Sequence, residues 1–405
     1  MTASAPAAAT TPTATWRRDL GVAVAVIFTV YFLIQPQRTF RYGPGDFGAF
    51  AAAARLLVEG HAALLYTPSA QYRAELLYSG AKIAPNALFF LNPPLTALLL
   101  TPLVHLPFAA ALATFTALGM AAVVLSGWLL HRHLLPAPLL SLPTLLVVVA
   151  TLSVPTAWNI LMANWDAYML LALVGAAILL PRRPVLAGVL LSLLFVKPQL
   201  VWMVPVALLI ARQWRPLLGL GVGLLVWVAS TLVMVGPHGA GQLIQVDAAM
   251  GAVEATMAVG IPGLLALAGV ASPLIDLTIA LGTLGAVALL WSLRRPLHAD
   301  PAMAIGLGIL ASLLLAPHVN LQDPCLLALP LCIWGRSRPH QALGAALLLS
   351  LTALPYASLV GIAPEAHLML LALGVIGAGL VWNLRHPTAG ETPARPLEGI
   401  EPAVA

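Results

Sequence analysis

Charge is what this sequence lacks most. Asp, Glu, Lys and Arg make up 8% of its 405 residues and hydrophobic residues 60%, whereas a soluble domain carries about 25% charged residues. With a mean hydropathy of +0.96, the chain is solvated by lipid, where only helices and closed barrels satisfy their own backbone groups. The strict polar–apolar alternation of barrel strands is missing too, and the apolar runs are long and rich in Leu, Ala and Gly. The fold class is therefore all-α and polytopic. Cysteine is scarce: Cys325 and Cys332 stand alone, and on one helix they would lie about 10 Å apart, too far for a disulfide, so they read as packing residues. We find no H-E-x-x-H, no Walker A loop and no Ser-His-Asp set, which leaves protease and ATP-driven chemistry without support.

The charges that are present mark ends of apolar runs. The net charge of +5 sits mostly on Arg at such ends and reports topology, not nucleic-acid binding. Residues 1–19 read as a disordered cytoplasmic tail of Ala, Thr and Pro. Arg17-Arg18 precede an apolar run without an Ala-x-Ala cleavage site, which predicts a retained anchor. Residues 20–386 form the expected single membrane domain of about 10–13 transmembrane helices, and residues 387–405 a second cytoplasmic tail. Arg182-Arg183, Arg212 with Arg215, Arg294-Arg295, Arg336 with Arg338, and Arg385 fall at every second junction, which makes those ends cytoplasmic. The junctions at 158–165, 197–199, 236–262, 316–323 and 355–364 are then extracytoplasmic. Four apolar segments between residue 46 and Arg182 give the wrong parity, so one of them, 93–106 or 139–154, must fail to cross.

The first outer loop, 37–92, is unusually polar. Within it Phe47, Phe50, Ala54, Leu57 and Val58 recur at helical spacing, with Arg55 and Glu59 as an i,i+4 pair on the other side. This predicts an amphipathic helix lying in the interface, followed by a short one over 69–78.

The same topology gathers polar residues on the outer face: Asp46, Asn92, Asn159, Asn164, Asp166, Lys197, Gln199, Asp247, Glu254, His318, Asn320 and Asp323. Burying an ionisable group at membrane depth costs at least about 2.5–3.5 kcal/mol, so such groups tend to mark a site. Each has a plainer reading beside it. Asp46 and Asp166 stand where helix caps would, and Lys197 is placed to snorkel from a helix end. His318 and Asp323 are spaced to pair across a loop, and Asp247 with Glu254 to form the wet side of a surface helix. Gly219, Gly221 and Gly223 lie inside an apolar helix with no preceding strand, which reads as helix packing. His131 and His133, two apart, point to different helix faces and make a poor metal site.

In order and spacing the motifs resemble a known family. They are Asp46-Phe47 with its run of Ala, Gly60, Leu65-Tyr66, Pro93-Pro94-Leu95, Arg182-Arg183-Pro184 with Ala187 to Leu190, Lys197-Pro198-Gln199, Arg212 to Arg215, and Pro317-His318 with Asp323. The series resembles glycosyltransferase family 87, the DUF2029 membrane proteins of the GT-C class. The resemblance implies a metal-independent, cofactor-free, inverting transferase. Its donor would be a polyprenyl-phosphate sugar, mannose-like or pentose, and its acceptor a lipid or glycan, met among membrane lipids on the outer face of the plasma membrane.

It also implies Asp46 as catalytic base. Lys197, Gln199, His318, Asp323, Asn164, Asp166, Arg55 and Arg73 are then the candidates for binding donor phosphate or substrate. The chain departs from the family at Ala163-Asn164, where many relatives carry Gly-Gln, and at Ala316, where a Ser is usual. A transporter or flippase of a lipid-linked solute, or an inactive relative, are the rival readings.

Overall fold

A computed structural model describes residues 12–36, 45–80, 89–254, 258–358 and 366–386. Every regular element among them is helical. Among the described residues, five helical stretches are long and apolar enough to cross a bilayer: Phe108–His133, Leu142–Met162, Trp214–Val246, Ser272–Ser292 and Leu368–Arg385. A sixth candidate is a bent pair, Pro184–Val196 with Pro198–Ile210, folded by 120° at Lys197. Shorter apolar helices, Asp19–Leu33, Asp166–Leu179, Pro301–Leu315 and Asp323–Gly335, complete the bundle.

Full crossings are thus fewer than the number of apolar segments suggests. The reason is length. A helix rises 1.5 Å per residue, so 15 residues reach about 22 Å of a core about 30 Å thick. Pro301–Leu315 is buried along most of its length, so its apolar residues serve the protein interior rather than the lipid.

The first helices build the site. Helix α1 (Pro12–Leu33) leads and takes in residues 12–19, predicted from the sequence to be part of a disordered tail. Helix α2 (Gly45–Val58) follows where the periodicity places it, with the Arg55–Glu59 pair closed at 2.7 Å. Burial of α2 exceeds that of an interfacial helix with one apolar stripe. Residues 46–54 and Leu56 are all buried, because its run of four alanines lets neighbours approach from every side. Helix α3 (Pro68–Ser79) matches the expected second short helix and packs along α2. The next segment contains α4 (Pro94–Leu100), seven residues long, and a 3-10 turn at Leu103–His105.

Seven residues span only about 10 Å, so residues 93–106 do not cross. The helices between there and Arg182 are α5 (Phe108–His133), the stretch made of α6 (Leu142–Thr151) and α7 (Val154–Met162), and α8 (Asp166–Leu179). The first two are long enough to cross, and α8 is one of the shorter apolar helices.

The bent pair consists of α9 (Pro184–Ser192), a 3-10 turn at Leu193–Val196, and α10 (Met203–Ile210). Its two ends carry Arg182-Arg183 and Arg212, and Lys197 sits at the apex. Helix α11 (Trp214–Glu254) packs on α9 through glycine, as expected for residues 219 and 223. A Cβ on Gly219 would strike the Val185 carbonyl, and one on Gly223 the Ser192 side chain, whereas Gly221 faces open space. Small residues at these points let the backbones touch, which is how helices associate in lipid.

Candidate active site

Two tight backbone points bring the site together. Gly45 opens α2 at φ +52°, and a Cβ there would lie 2.5 Å from the Met162 carbonyl oxygen. Only glycine lets α2 start hard against the end of α7. Helix α7 ends at Ala163, which is left-handed at φ +50°. That reversal aims the Asn164 side chain back at α2. Asn164 Oδ1 accepts from the Trp165 amide, which leaves its Nδ2 to donate to Asp46 Oδ2.

Helix α8 starts one residue after Trp165. Asn159 reaches across from α7 to cap it: its Oδ1 accepts from the Ala167 amide at 3.2 Å and its Nδ2 donates to Asp166 Oδ2 at 3.1 Å. Asp166 itself turns inward to Lys197. The ammonium lies 3.0 Å from both Asp166 oxygens and 2.8 Å from Asp323 Oδ1. Asp323 Oδ2 accepts from the Asn320 amide at 2.7 Å. Next to it, Gln322 Nε2 approaches Asp46 Oδ2 at 3.4 Å. Asn92 ties the segment before α4 to the Lys197 turn, donating to the Val196 carbonyl at 2.8 Å, and Tyr66 donates to the Asn92 carbonyl at 2.9 Å.

The result is three carboxylates and one ammonium, all buried. They are not equivalent. Asp166 is 0% exposed, Asp323 2% and Asp46 9%. Asp166 and Asp323 are both matched to Lys197, while the described partners of Asp46 are neutral amides. Burial pushes the Asp46 carboxyl above the usual carboxylate range; the Lys197 charge and the Asn164 hydrogen bond pull it back, and the Asp323 charge adds to the rise. Aromatic rings wall the site: Phe47 meets Phe108 and Phe115, and Phe50 meets Phe90 and Trp165.

Asp46, Asn164, Asp166, Lys197 and Asp323 are thus brought together. Gln199 sits half-buried in the 3-10 turn after Lys197. His318 is buried in the loop that leads to Asp323, whose carboxylate is taken by Lys197 and the Asn320 amide. Arg55 and Arg73 are placed elsewhere. Arg55 is bound to Glu59 and lies 5.5 Å over the Tyr78 ring, about 13 Å along α2 from Asp46, and Arg73 is exposed on α3. The side chains of Asp247 and Glu254 lie outside the described residues. Gln322 escaped the sequence reading, because an uncharged amide costs far less to bury than an ion and so gives little warning in an apolar run.

A family model described as glycosyltransferase family 87 matches residues 90–317, more than half of the chain. The chain belongs to glycosyltransferase family 87. It is a multi-pass membrane glycosyltransferase. The family-87 segment supplies Asn159, Asn164, Asp166 and Lys197, while Asp46, Gln322 and Asp323 fold onto it from either side of the matched region. No curated protein and no solved structure shows significant similarity to this family-87 chain.

Proposed function

We propose that this family-87 protein moves a mannose-like hexose, or a pentose, from a polyprenyl-phosphate carrier to a lipid or glycan hydroxyl on the extracytoplasmic face of the plasma membrane, with inversion at the anomeric carbon. One observation carries the assignment of Asp46 as base: of the three carboxylates gathered here, it alone is not matched to Lys197, and it is the most accessible.

In the step itself, the acceptor oxygen attacks the anomeric carbon and Asp46 takes its proton. The bond from that carbon to the phosphate oxygen breaks, and the phosphate leaves with the electron pair. The leaving group gains charge, which favours donors already in place. The Lys197 ammonium, within reach of both Asp166 oxygens and Asp323 Oδ1, supplies positive charge toward the phosphate, with Gln199 and His318 as the further proposed contacts. The arginine-rich helix ends lie away from Lys197 and Asp46, which supports an extracytoplasmic site with a cytoplasmic N-terminus.

The test is transfer from radiolabelled polyprenyl-phosphate mannose, with the arabinose analogue in parallel, by purified protein in lipid vesicles. Asp46→Asn is expected to lower the rate by about 10²–10⁴-fold. Equal rates for the two proteins would remove Asp46 as the base. Failure of the wild type with both donors would remove the donor class.

A further inference from the structure

We infer that Asn164 and Gln322 are positioning residues that grip the Asp46 carboxylate by one oxygen, Oδ2, and leave the other, Oδ1, facing the acceptor hydroxyl, with Lys197 locking both amides in place. This rests on Asp46 being the base.

Both amides donate to the same atom. Asn164 Nδ2 and Gln322 Nε2 converge on Asp46 Oδ2, and Oδ1 accepts no hydrogen bond among the described residues. A carboxylate held at one oxygen from two directions has little freedom to turn about its Cβ–Cγ bond. Its second oxygen therefore keeps one bearing, the one a base needs to meet a hydroxyl within about 3 Å.

The Asn164 orientation follows from its own second partner. Asn164 cannot present its oxygen to Asp46, because that oxygen already accepts from the Trp165 amide. Both amides stand close in sequence to carboxylates that bind the same cation. Asn164 lies two residues before Asp166, and Gln322 lies directly before Asp323, and Lys197 binds both of those carboxylates. One ammonium thus joins the start of α8 to the 316–323 loop and sets the gap that Asp46 fills. Neutral donors suit the task, since they hold a carboxylate without quenching its charge as a direct cation would. The charged groups that face Asp46 are Lys197 and Asp323, with Asp166 behind them on the same ammonium.

The proton, the attacking oxygen and the departing phosphate follow the course already given, with Oδ1 as the atom that receives the proton. Asn164 and Gln322 touch Asp46 and not the reacting atoms, so they act through it.

The test uses the full chain in vesicles with the donor that the wild type accepts. It compares Asn164→Leu, Gln322→Leu and Asp46→Asn, together with each Leu variant combined with Asp46→Asn. Either Leu change is expected to lower kcat by roughly 100-fold, the scale of a small misplacement of a reacting group, with KM within two-fold. The acidic limb of the kcat/KM profile should move to higher pH, because a lost amide donor disfavours the carboxylate. In the Asp46→Asn background the same changes should cost nothing further.

Should they lower the residual rate as much there as in the wild type, the amides act elsewhere and the inference is overturned. An unmoved acidic limb would overturn it as well. If Asn164→Leu does not fold, Gln322→Leu carries the same comparison from a separate loop. An Asp46→Asn protein as active as the wild type would instead sink the proposed function.

Discussion

Replacing Lys197 with methionine tests the centre of the fold most directly. The Lys197 ammonium, 7% exposed, lies within 3.0 Å of Asp166 and 2.8 Å of Asp323. Methionine keeps much of the volume and removes the charge, leaving three carboxylates in a buried site with no cation. Breaking a buried ion pair by removing one partner costs about 3–5 kcal/mol, chiefly because the remaining charge stays buried. That range is a large share of the stability of a typical domain. The Lys197→Met protein should therefore unfold at a markedly lower temperature in detergent, and its ten tryptophans supply a fluorescence signal to follow it.

The same reasoning makes a second demand. Neutralising all three positions, as Asp166→Asn, Lys197→Met and Asp323→Asn together, leaves Asp46 as the one carboxylate of the cluster and removes most of the penalty of unmatched buried charge. The triple variant should recover most of the lost stability while transferring sugar poorly. A single variant as stable as the wild type, or a triple variant as unstable as the single, would refute the account of Lys197 as the ion that holds Asp166 and Asp323 in place.

Two further outcomes follow. Gly45→Ala puts a methyl group 2.5 Å from the Met162 carbonyl in a left-handed residue, a conformation that alone costs about 1–2 kcal/mol. Lower thermal stability together with lost transfer is expected, and wild-type values for both would show that α2 does not depend on this close approach. Glu75, on α3, is buried, and burial raises its carboxyl from the usual 4.5 to about 7. A group bound to its proton more tightly in the folded state stabilises fully below the unfolded value and loses that contribution as pH rises through about 7. Glu75→Gln should therefore flatten the fall in stability between about pH 4.5 and 7, and parallel curves for the two proteins would dismiss Glu75 as its source.

The sequence by itself determined what depends on near neighbours and on composition. Scarce charge and unbroken apolar runs dictate a helical membrane protein, because hydrocarbon leaves no other way to pair a backbone. The Arg55–Glu59 bridge is four residues long, and the close packing at Gly219 needs only the absence of a side chain. Tertiary structure decided how far each apolar segment reaches and what each polar group touches. Charge parity leaves 93–106 and 139–154 as rival candidates for the segment that fails to cross, and it is 93–106 that folds as a seven-residue helix and a turn, since burial against α2 serves its apolar surface as well as lipid would.

Asp46 is the sharper case. Its capping position was legible, but its partners Asn164 and Gln322 lie 118 and 276 residues away. No local pattern records that Asp166 and Asp323 would take Lys197 and leave Asp46 to neutral amides. In a low-dielectric interior an ammonium goes to whichever carboxylates the packing brings within reach, and only the packed helices settle which those are.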